Sequence, residues 1–96
     1  MKSSIRQKLE LLVDRLDEID RLLASPDAAN DMEQFRKLSR ERAEVEPVAI
    51  QFNAFRQAEN DLAEAEAMLA DPDMREFAEE EMAAAKARLP ALELEL

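Results

Sequence analysis

Six large aliphatic residues near the start of the chain, Ile5, Leu9, Leu12, Leu16, Ile19 and Leu23, step alternately by four and by three. At 3.6 residues per turn this spacing gathers them on one stripe of a helix, and it is also the seam of a coiled-coil-like pair. The stripe predicts a first helix over about residues 4–24, with Ser3 or Ser4 as its N-cap. Leu11, Val13 and Leu22 widen the stripe, which implies contact with more than one neighbour.

Two proline corners divide the rest. Both read Leu-Ala-(Ser or Asp)-Pro-Asp, from Leu23 to Asp27 and from Leu69 to Asp73. In each, Ser25 or Asp71 is placed to cap. Proline takes the first helical position, where no donor is needed, and the following aspartate faces the positive end of a helix. The second helix is predicted over about 31–69, opened by a capping box of Asp31 with Gln34 or Asn30 with Glu33. Its seam runs through Phe35, Leu38, Arg42, Val45, Ala49, Phe52, Phe55, Ala58, Leu62, Ala65 and Leu69. If continuous it is about 58 Å long, more than its partners can cover. Pro47 removes the hydrogen bond to the Ala43 carbonyl and is expected to bend it, with Phe52 and Phe55 filling the space beside the bend.

A third helix is predicted from Pro72 over 72–89 or beyond, with a seam of Ala78, Met82, Ala85, Leu89, Leu92 and Leu96. Pro90 is expected to kink it or end it near Leu89. The period-two tail Leu92-Glu93-Leu94-Glu95-Leu96 has no strand to pair with and reads as frayed helix. The fold expected is therefore all-α: a single domain over 1–96 with three main helices in antiparallel coiled-coil-like hairpins.

The residue inventory bounds function. The chain has no Gly, His, Cys, Trp, Tyr or Thr. Without imidazole or thiolate it lacks the usual general base, the usual nucleophile and an ordinary zinc site, so no catalytic activity and no cofactor are expected. The formal charge of −10 opposes broad contact with DNA or an anionic membrane. No apolar run approaches the length of a membrane span or a signal peptide, so a cytoplasmic location is expected. Glu79, Glu80 and Glu81 point about 100° apart on a helix and do not converge on a cation.

The most distinctive stretch is Phe35-Arg36-Lys37-Leu38-Ser39-Arg40-Glu41-Arg42. Arg36, Lys37 and Arg40 cluster on the exposed side of an otherwise acidic chain, and with Glu41 they form the candidate partner-docking set. Two readings stand side by side. One is a solvated face with ion pairs from Glu33 to Lys37 and from Arg40 to Glu44. The other is a basic patch for an acidic protein or RNA phosphate. Arg42 falls on the apolar seam, where its stem can lie along the core while its head reaches water.

These residues carry a resemblance. The blocks Phe35-Arg36-Lys37-Leu38-Ser39-Arg40-Glu41 and Asp71-Pro72-Asp73-Met74-Arg75 resemble the N-terminal domain of bacterial class-I peptide chain release factors. The likeness is to the release factor 1 branch, which reads UAA and UAG. Lys2-Ser3-Ser4-Ile5, Glu46-Pro47-Val48 and Ala78-Glu79-Glu80-Glu81 extend it over essentially the whole chain. Arg42, where the family often has an aromatic residue, and Pro90 depart from the pattern. The resemblance implies a helical domain near the stalk base of the large ribosomal subunit. It also implies interplay with the class-II release factor GTPase and contact with the release-factor glutamine methyltransferase. The Pro-x-Thr codon-reading loop and the Gly-Gly-Gln hydrolysis loop of that family have no counterpart in a chain without Gly or Thr. If any site carries over, it is Arg36, Arg40 and Glu41. The alternative is a self-associating coiled-coil protein, with uncovered apolar surface near Pro47 favouring a homodimer.

Overall fold

The computed structural model describes residues 1–96 and contains helices and turns only. Helix α1 spans Ser3–Ala24, a short 3-10 helix spans Pro26–Asn30, α2 spans Met32–Met68 and α3 spans Arg75–Leu94. The chain divides into two compact units, Met1–Ile50 and Gln51–Leu96, so the backbone of α2 contributes its first half to one and its second half to the other.

In the first unit, α1 and the start of α2 form a hairpin closed by the turn at residues 25–31. The predicted stripe is buried along most of its length but not at Ile5, which is exposed: Leu9 and Ile19 of α1 are buried, as are Leu38, Val45 and Ala49 of α2. Leu12, Leu16 and Leu23 are half-buried beside them, while Leu11 and Leu22 of the widened stripe stay exposed. The N-cap of α1 is Lys2, one position before the predicted serines, with no side-chain cap bond. Both serines fall inside the first turn instead. The two N–H groups of that end that a serine cap would have served, Ile5 and Arg6, go to the Lys2 carbonyl at 3.1 and 3.0 Å.

The second unit pairs the end of α2 with α3 across residues 69–74. Its buried residues are Phe52, Phe55, Ala58 and Ala65 from α2 and Ala78 and Ala85 from α3. These are six of the predicted seam positions. Met82, Leu89 and Leu92 are half-buried.

The two proline corners share one hydrogen-bond pattern. The Asp27 amide donates to Ser25 Oγ at 3.3 Å, and the Ala28 amide to the Ser25 carbonyl at 3.0 Å. The Asp73 amide donates to Asp71 Oδ1 at 3.0 Å, and the Met74 amide to the Asp71 carbonyl at 3.0 Å. Ser25 therefore caps the short 3-10 helix, with Pro26 at its first position as expected, whereas Asp71 caps a turn rather than a helix. Proline follows the capping residue at the second turn position, where its fixed φ suits a tight i to i+3 turn. This corrects the expected start of the third helix at Pro72: α3 begins at Arg75, after the turn closes. Helix α2 has its own cap at Asp31, whose Oδ1 accepts from the Gln34 amide at 3.1 Å.

Neither internal proline ends its helix. Helix α2 runs unbroken through Pro47. Helix α3 runs through Pro90 to Leu94, which corrects the expected stop near Leu89. Pro90 and Lys86 are both exposed, so the carbonyl of Lys86 that loses its partner can turn to water while Leu92 continues the apolar seam.

Candidate functional site

Residues 35–42 lie on the first half of α2, fixed by the Asp31 cap at one end and by buried Leu38 and Val45 on the core side. Leu38 facing inward sets the rotation of the helix. Arg36, Lys37 and Arg40 are exposed, Ser39 is half-buried, and Glu41 and Arg42 lie at the hairpin's flank.

The structure splits the predicted set. Glu41 is taken by α1: Arg15 grips its carboxylate with two prongs, Nε to Oε2 at 2.5 Å and the terminal nitrogen to Oε1 at 2.7 Å. A paired guanidinium–carboxylate fork of this kind is the strongest ion-pair geometry available to side chains. Hydrogen bonding to Arg15 holds the Glu41 carboxyl below its ordinary value, and the same bond raises the Arg15 guanidinium. Arg15 also reaches Glu18 at 3.0 Å. Glu41 is thus a clasp between helices, a role the sequence could not reveal because its partner stands 26 residues away.

Arg42 acts the same way. Its Nε donates to Asp20 Oδ1 on α1 at 2.6 Å and its outer nitrogen meets Glu46 at 2.5 Å, and the bond to Asp20 raises its pKa. The side chain is about one-third exposed, so its stem lies against the hairpin and its head sits at the rim, as expected from its seam position.

Arg36, Lys37 and Arg40 remain. None of them makes an ion pair; the bonds from Lys37 to Glu33 and from Arg40 to Glu44 are absent. Arg36 and Arg40 stand one turn apart and line an open concavity together with Phe35 and Ser39. Phe35 is 37% exposed. Its other side lines a narrower cleft of about 300 Å³ with Leu22, Ser25, Asp27, Ala28, Asp31, Gln34 and Leu38. That cleft is absent from the sequence-based set, because it exists only once the corner folds Leu22 and Asp27 back beside Phe35.

The arrangement offers recognition groups. It holds two free guanidinium groups, an ammonium, a hydroxyl and a half-exposed aromatic ring, with no activating base beside the hydroxyl. No group of three or more acidic side chains converges to hold a metal, and no helix is long and apolar enough to cross a membrane.

No solved structure matches the chain. The PCRF domain matches residues 12–96, which include the later part of α1, all of α2 and α3, the Phe35–Arg42 stretch and the second proline corner. The chain belongs to the PCRF domain family, the release-factor-family N-terminal domain that serves translation termination.

Proposed function

We propose that this chain is the ribosome- and partner-docking domain of a peptide chain release factor 1, whose intact form recognises UAA and UAG and triggers peptidyl-tRNA hydrolysis. The domain carries no chemistry of its own. It acts in the cytoplasm, at the stalk base of the large subunit, with the class-II release factor GTPase and the glutamine methyltransferase as further partners. The assignment to the UAA/UAG branch is supported by the Phe35–Glu41 and Asp71–Arg75 blocks.

The observation that carries the docking role is the unspent charge of Arg36, Lys37 and Arg40 on a surface where Arg15 and Arg42 are held in ion pairs. Cations left free on a chain of net charge −10 are available to an anionic partner without breaking an internal pair. Docking through Glu41 would have to compete with its clasp to Arg15. A second reading, self-association through the uncovered surface near Pro47, is supported by Ile50, which is 59% exposed.

Co-sedimentation of the chain with large ribosomal subunits tests the first reading. Arg36→Glu with Arg40→Glu is expected to weaken binding roughly tenfold or more at low salt, and less as salt rises. Binding indifferent to the reversal would overturn it. Light scattering across concentration tests the second: strictly monomeric behaviour removes it.

A further inference from the structure

Phe35 lines two concavities of opposite charge. On one side stand the free guanidinium groups of Arg36 and Arg40. On the other, the cleft at the first corner has an apolar floor of Leu22, Phe35 and Leu38, and a rim that includes Asp27 and Asp31. Neither rim carboxylate is neutralised: the Asp27 side chain has no hydrogen bond or ion pair, and Asp31 uses one oxygen to cap α2. Leu22 is 42% exposed although it carries no charge and its place in the sequence widens the apolar stripe toward a further neighbour.

We infer that Phe35 centres a docking site for a segment of a partner protein in which an apolar side chain is flanked by a cation on one side and an anion on the other. The inference rests on the docking reading above and names the chemistry of the partner. Charge complementarity selects a protein over RNA. A single strand of RNA could stack a base on Phe35 and lay a phosphate on Arg36 and Arg40. Its continuing backbone would then run toward Asp27 and Asp31 on a chain of net charge −10, and every further phosphate would be repelled. A peptide that changes sign across its apolar residue meets no such penalty. The cleft, at about 300 Å³, is at the lower end of ligand-pocket sizes and suits one or two inserted side chains. The acidic rim then works as selection against polyanions, and the basic rim as selection against polycations.

Peptide binding followed by fluorescence anisotropy provides the test. Four probes are used: a 14-residue helical peptide with a central Leu pair, Lys on one end and Glu on the other; the same peptide with Glu at both ends; the same with Lys at both ends; and a single-stranded oligouridine of eight nucleotides. The mixed-charge peptide is expected to bind about tenfold tighter than any other probe at low salt. Asp27→Lys with Asp31→Asn, which keeps a capping side chain for α2, is expected to move the preference to the all-Glu peptide. Phe35→Ala is expected to remove the preference altogether, with helix content checked by circular dichroism. Tighter binding of the oligouridine or of either single-sign peptide to the parent chain would overturn the inference, as would a preference unchanged by both variants. Ribosome co-sedimentation separates the two levels. If Arg36→Glu/Arg40→Glu abolishes ribosome binding while the peptides show no preference, the mixed-charge partner is wrong and the docking role stands. If the peptide preference holds while ribosome binding ignores the reversal, the site is a protein-docking site and the ribosomal reading fails.

Discussion

The two helical hairpins solve the same packing problem with different materials. The first buries branched aliphatic side chains, Leu9, Ile19, Leu38 and Val45, and ties its helices together with two cross-helix ion pairs, Arg15–Glu41 and Arg42–Asp20. The second buries four alanines, Ala58, Ala65, Ala78 and Ala85, and its helices are joined by the ion pair Arg88–Asp61 at 3.0 Å, with Arg88 more than half exposed. Alanine lets helices approach closely but removes few apolar atoms from water per residue. In the second hairpin that deficit is made up at one place, by Phe52 and Phe55. A spread core tolerates local damage; a concentrated one does not.

The sharpest way to break this comparison is Phe52→Ala. Phe52 is 0% exposed, and truncating a buried phenylalanine costs about 3–5 kcal/mol. Total stability of a domain this size is about 5–15 kcal/mol, so urea unfolding should shift far to lower midpoint. Loss of helicity is expected to begin in residues 51–96, which amide hydrogen exchange would localise. Ile19→Ala in the first hairpin is the counterpart, expected to cost about 2–5 kcal/mol. A cost for Phe52→Ala below about 1 kcal/mol would mean that the alanine seam holds its hairpin alone.

The prolines give a second, smaller contrast. Pro47 lies deep inside α2 and Pro90 lies in the last turn and a half of α3, and each withholds one backbone donor. A proline in a helix interior costs about 3 kcal/mol relative to alanine, offset in part because it also restricts the unfolded chain. Pro47→Ala is therefore expected to raise stability by about 1–3 kcal/mol, and Pro90→Ala by less, because few residues lie beyond Pro90 to be realigned. Thermal melts of the two variants check the order. Equal gains would show that the tail of α3 is as firmly held as the middle of α2.

Most of the fold was legible because it depends on local spacing. The stripe from Ile5 to Leu23 and the seam from Leu38 to Ala65 are periodic, and periodicity reports which face of a helix is buried without reference to its neighbour. The corners were legible as corners, since Leu-Ala-x-Pro-Asp states its own turn chemistry. The second was misread as a helix start because the same residues cap a tight turn and a helix alike. Pro90 misled because the rule against proline weighs the lost bond and not its surroundings; at an exposed position water takes that bond and the helix continues. The candidate site was half legible. Exposure of Arg36, Lys37 and Arg40 follows from the position of Leu38. The capture of Glu41 by Arg15 and the cleft between Leu22 and Phe35 depend on how α1 is laid against α2, and no local pattern encodes that register.

The smallest expected effect tests the clasp itself. The Glu41 carboxyl titrates below its ordinary value of 4.5 because Arg15 stabilises its charged form in the folded chain. The unfolded chain therefore binds the proton at a higher pH than the folded one does, and stability must rise with pH across the interval between the two. Above 4.5 the contribution is fully present, and it fades as pH falls through the depressed folded value. Glu41→Gln is accordingly expected to melt below the parent chain at neutral pH, with the gap closing under acid. Both partners are about one-third exposed, so the gap is expected to be modest and to narrow in added salt. Arg88→Gln, which removes the single-pronged pair of the second hairpin, is expected to lower the melting temperature less than Glu41→Gln does. The reverse order would mean that the first hairpin is held by its aliphatic core alone and that the fork between Arg15 and Glu41 only decorates it.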